Sequence, residues 1–125
     1  MKARIVKAKS LTEAPTLERC SIAENFSTEE LSVAQARVKP GVTTLSHRLE
    51  GVNEIYLIIS GKGQVDVGDL KPTKVTKGDL IVIPAGASQR ISNIGKTDLV
   101  FYCICTPKFT AECYRGEEES AGKQQ

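Results

Sequence analysis

The stretch Gly41-x5-His47-x-Leu49-x4-Glu54-x6-Gly61, continued by Gly78-x5-Pro84-x-Gly86-x2-Gln89-x3-Asn93, decides how this chain folds. Gly61 and Gly63 supply permissive backbone where one apolar run turns into the next. Gly78-Asp79 turns the chain into the run Leu80–Ile83, and Pro84-Ala85-Gly86 reverses it, with Pro fixing φ and Gly free to take positive φ. Between these turns lie Glu54–Ser60, Gln64–Val67, Asp79–Ile83 and Ser88–Ser92. Working outward, Leu31–Val38 ends at Lys39-Pro40-Gly41, and Leu99–Cys105 ends at Thr106-Pro107. Short apolar runs divided by turn residues predict an all-β, antiparallel sandwich or barrel. Arg4–Val6 and Cys20–Ala23 are candidate edge strands. Ser27-Thr28-Glu29-Glu30 has capping-box spacing and predicts at most one short helix.

The whole chain of 125 residues has room for one domain, which we place at 1–115, with a disordered tail over 116–125 that has nothing to bury. Fractions of 40% hydrophobic and 26% charged residues are those of a globular protein. A net charge of +2, no Trp and only six Phe and Tyr argue against nucleic acid and anionic membrane as partners. The longest apolar runs, Ile55–Ile59 and Leu80–Ala87, fall short of the roughly 20 residues of a membrane helix. The start, Met1–Lys9, lacks a secretory apolar segment. The four cysteines, at 20, 103, 105 and 113, match no zinc-finger spacing and read as reduced thiols of a cytoplasmic protein.

The two spaced motifs resemble those of the cupin superfamily, in a small single-domain, histidine-poor version of the "cupin 2" kind. That resemblance implies a double-stranded β-helix, or jelly-roll, barrel around a central small-molecule pocket. In the family pattern two histidines and a glutamate of the first motif, with a histidine of the second, hold a divalent metal. Here His47 and Glu54 stand at the first histidine and glutamate positions. Leu49 and Gln89 replace the other two histidines.

Alternation along strands sends Glu54, Tyr56 and Ile58 to one face, as it does Gln89 and Ile91. Leu99, Phe101, Cys103 and Cys105 share a face that the resemblance turns toward the pocket, Cys103 at depth and Cys105 nearer the rim. The expected lining is therefore Leu49, Tyr56, Ile58, Ile91, Phe101 and Cys103. His47, Glu54 and Gln89 form the candidate metal set, whose donors suit Mn, Fe, Ni or Zn. The competing reading has His47 hydrogen-bonded to Glu54 or Gln89 in a metal-free cavity. Two functions follow: a metal-dependent isomerase or dioxygenase acting on a small organic or sugar-like substrate, or a non-catalytic small-molecule binder. No residue is assigned a catalytic role and no organic cofactor is implied. Cys103 reads as a small buried hydrophobe more readily than as a ligand or nucleophile. Leu99–Cys105 is apolar on both faces, so its outer face needs cover, and small cupins commonly pair through their sheets; a homodimer is expected.

Overall fold

A computed structural model describes residues 1–118. In chain order the strands are β1 (Ala14–Pro15), β2 (Ser21–Ser27), β3 (Ser32–Val38), β4 (His47–Leu49), β5 (Asn53–Ser60), β6 (Lys62–Val67), β7 (Thr73–Thr76), β8 (Leu80–Ile83), β9 (Gln89–Asn93), β10 (Leu99–Thr106) and β11 (Tyr114–Gly116). They form a six-stranded sheet, β1-β2-β3-β10-β5-β8, and a five-stranded sheet, β11-β4-β9-β6-β7. Every strand pair is antiparallel. The architecture is the expected all-β jelly-roll barrel.

The inner faces of the two sheets interdigitate as period-2 alternation requires. Val38, Ile58, Ile83, Ile91 and Leu99 are almost completely buried, and with Phe101 they fill one end of the barrel. A smaller cluster, Leu49, Val52, Cys105 and Cys113, closes part of the other end. Between the two lies the cavity described below.

Three local expectations are corrected. Ser27–Glu30 forms no helix: Thr28 N–H donates to the Leu31 carbonyl at 2.7 Å, Leu31 N–H returns a bond at 3.4 Å, and the segment is the loop of the β2–β3 hairpin. One isolated helical turn would fix several dihedrals for a single hydrogen bond, whereas the hairpin satisfies the backbone of both flanking strands. Arg4–Val6 is not a strand, while the edge piece at Cys20–Ala23 lengthens into β2. Gly116–Glu118, expected to open a disordered tail, are tied to the barrel. Gly116 pairs with His47 in β11, and Glu118 accepts a hydrogen bond from the Ser46 amide at 2.8 Å. Residues 119–125 lie outside the described part of the chain.

Candidate functional site

Strand register brings the predicted residues together. Glu54 and Tyr56 on β5 stand opposite Cys105 and Cys103 on β10, and β4 pairs with β9 at His47 and Gln89. Of these, His47, Glu54, Tyr56, Cys103 and Cys105 line a cavity of about 250 Å³ between the sheets, while Gln89 is buried and does not line it. Its apolar walls include Ile22, Ala34 and Ala36 from β2 and β3, Phe101 from β10, and Leu49 from β4. Leu49, Tyr56, Phe101 and Cys103 thus line it. Ile58 and Ile91, expected at the pocket, pack instead into the core cluster beneath Tyr56 and Phe101. Cys105, expected nearer the rim, is 2% exposed and sits beside Glu54.

Gln89 is buried and its Oε1 accepts a 2.6 Å hydrogen bond from the Tyr56 hydroxyl. Gln89 also opposes the rise that burial imposes on the Glu54 pKa. Tyr56 also packs on the Phe101 ring, centroids 4.6 Å apart, and burial raises its phenol well above the ordinary pKa. Gln89 therefore links and positions two other side chains.

His47 is held from both sides. Its Nδ1 lies 3.1 Å from the Leu45 carbonyl, which can only accept, so Nδ1 bears the proton. In the neutral ring that leaves Nε2 as the acceptor. The imidazole stacks on Tyr114 at 4.8 Å, which explains why β11 matters to the site.

Glu54 is 7% exposed, and its Oε1 has no hydrogen-bond partner among the described residues. Burial raises its pKa above the usual carboxylate value, against the opposing pull of His47, the Gln89 amide and the Cys105 thiol. A second carboxyl, Glu18, enters from the loop between β1 and β2; burial raises its pKa too, again opposed by His47. Thr16 Oγ1 shapes that loop by accepting from Glu18 N–H at 3.1 Å and donating to the Cys20 carbonyl at 2.8 Å. Arg19, at φ 71°, turns outward, where its guanidinium reaches the Thr43 carbonyl and Glu118. Cys20 also lines the cavity, its thiol pushed by burial to about 11. Burial likewise raises Cys103 and Cys105, so all three cavity thiols stay protonated at neutral pH and none is an activated nucleophile.

Sequence reasoning missed Glu18, Thr16, Ser32 and Thr44 at this cavity. The segment Thr16–Cys20 has no periodic pattern and no motif, and only the pairing of β2 onto β3 carries it over the barrel mouth.

The residues present do not make a divalent-metal centre. Among the described residues no three His, Cys, Asp or Glu side chains converge well enough to hold an ion. Leu49 contributes no donor, and the Gln89 oxygen is bound to Tyr56.

Comparison with known proteins agrees with this architecture. KdgF from Halomonas sp. superposes with a TM-score of 0.80 at 13% identity, over 89% of this chain and 99% of that one, a likeness of fold. An uncharacterised protein of Methanocaldococcus jannaschii is 37% identical over 81 residues, 65% of this chain and 64% of that protein. The oxalate-binding protein of Thermotoga maritima is 35% identical over 71 residues, 57% of this chain and 58% of that protein. The chain spans less than two-thirds of the length of these curated relatives. The family described as the cupin domain matches residues 34–105, more than half of the chain and both motifs, and the chain belongs to that family.

Proposed function

We propose that this cupin barrel binds a small organic molecule through protein groups alone and is not a metal-dependent isomerase or dioxygenase. The observation that carries this reading is the state of Gln89, which bonds Tyr56 and faces Glu54 where a metal-holding barrel needs a free donor. The cavity is mostly apolar and lined by a few polar groups, the usual build of a small-molecule site. The Thermotoga relative, named as an oxalate-binding protein, supports a small-ligand role for such a barrel. Four free thiols suit the reducing cytoplasm. A second copy of the chain covers the apolar outer face of the six-stranded sheet, making a homodimer.

Metal content separates the two functions. Plasma mass spectrometry on protein purified without a histidine tag, before and after incubation with Mn, Fe(II), Ni and Zn, should find far less than one ion per chain. The same low content is expected for His47→Ala and Glu54→Gln. A near-stoichiometric ion lost in both variants would overturn the metal-free reading and restore the enzyme as the leading function.

A further inference from the structure

We infer, on the reading that the cavity holds a small molecule, that its ligand is an amine: an apolar body with an amino or ammonium head that donates to Glu54 Oε1, with Glu18 on the same lining. Three features of the cavity carry this. The first is an unanswered acceptor. Glu54 is 7% exposed, lines the cavity and leaves Oε1 unpartnered among the described residues. A buried acceptor without a donor is costly, and a ligand N–H relieves that cost.

The second is the sign of the lining. Its acidic and basic side chains are Glu18, His47 and Glu54; none of the described lining residues is Lys or Arg. Arg19, the nearest basic residue in sequence, points to Thr43 and Glu118. The lining thus offers two carboxyls and one imidazole. A carboxylate or phosphate ligand would meet like charge with no cation to neutralise it, whereas an ammonium group neutralises charge that burial has stripped of water.

The third is shape. Ile22, Ala34, Ala36, Leu49 and Phe101 present hydrocarbon around the rest of the cavity. At about 250 Å³ it exceeds the roughly 150 Å³ apolar cavity that takes up a benzene ring. The Tyr56 hydroxyl gives its proton to Gln89 Oε1 and so adds no competing donor.

The test compares three molecules of one size and shape: benzylamine, benzyl alcohol and benzoate, titrated by calorimetry with ligand-observed NMR for weak binders. Benzylamine should bind at least tenfold more tightly than benzyl alcohol, and benzoate should show no binding. Glu54→Gln and Glu18→Gln, each nearly isosteric, should bring the amine-over-alcohol preference close to unity. Ala34→Phe, which fills the cavity, should abolish binding of both. Equal binding of amine and alcohol, or tighter binding of benzoate, would overturn the amine inference while leaving the cavity reading in place. Amine binding that survives Ala34→Phe would place it outside the cavity and overturn the inference too. If none of the three binds folded protein, both readings fall.

Discussion

Burial, more than any neighbouring charge, sets the behaviour of the Glu54 carboxyl, and its effect on stability has a definite sign. Its pKa is raised from the ordinary 4.5, so the folded state holds the proton more tightly than the unfolded chain. Below the ordinary value both states are protonated and Glu54 exacts no penalty. As pH rises toward the raised value the unfolded chain ionises first, and the folded state loses ground until the raised value is passed. Glu54→Gln removes this titration and should be more stable than the wild type at neutral pH. The advantage should shrink as pH falls to 4.5 and below, read by urea denaturation at a series of pH values. Glu18 titrates in both proteins, but its repulsion with Glu54 is lost in the variant, which adds to the advantage at neutral pH. A difference independent of pH would show that Glu54 is not desolvated. His47, Glu54, Gln89 and Tyr56 were legible because motif spacing and strand parity place them. What the pattern could not tell was how they bond to one another: the Gln89 amide reads as a weak metal donor until Tyr56 is seen to occupy its oxygen. Glu18 was illegible because only tertiary structure brings its loop to the cavity.

The β5–β6 connection shows what a glycine does for an element. Gly61 has φ +91°, and a Cβ there would lie 2.7 Å from the Asp98 carbonyl oxygen and 2.9 Å from Leu99 Cα, both backbone atoms. Gly41, at φ +80°, has nothing within 4 Å of the same atom. Alanine at either position bears left-handed strain, but only at Gly61 must it also displace the start of β10. Gly41→Ala should therefore cost about 1 kcal/mol and Gly61→Ala about 3 kcal/mol or more, by chemical denaturation. Equal costs would mean that the backbone at Asp98 yields freely. The long strands were readable for the reason that makes these turns sharp: β5, β9 and β10 are apolar or alternating runs bounded by glycines, prolines and asparagines. The short ones were not. β7 reads Thr-Lys-Val-Thr and buries only Val75, and β4 is three residues long and pairs with β9 at a single position. β11 straddles the expected domain end at 115 and carries no strand signal of its own, although Tyr114 stacks on the face of His47. The capping-box spacing at Ser27 misled because its residues also suit a hairpin loop, and local spacing does not reveal which neighbour satisfies the backbone.

At the scale of the molecule, the six-stranded sheet has one finished face and one unfinished face. Strand register places Val33, Ile104, Ile55 and Val82 side by side across β3, β10, β5 and β8, with Tyr102, Leu57 and Leu80 in the next row. This surface points away from the barrel interior, and its outermost members are the most open: Leu80 is 60% exposed and Val82 66%. They belong to β8, the last strand of the sheet, whose other edge has no neighbouring strand among the described residues. An exposed apolar edge strand invites pairing, and a twofold axis beside β8 would join two copies by a self-complementary contact. It would also brace the ligand cavity, because β5 turns Ile55 and Leu57 toward that face and Glu54 and Tyr56 inward. The wild type should elute as a dimer in light scattering across the micromolar range, with a Tm that rises with protein concentration. Val82→Glu, at an already exposed site, should yield a folded monomer whose Tm is independent of concentration. A wild type that is monomeric throughout that range would refute the dimer, and a dimer unaffected by both Val82→Glu and Leu80→Glu would move the contact to another face.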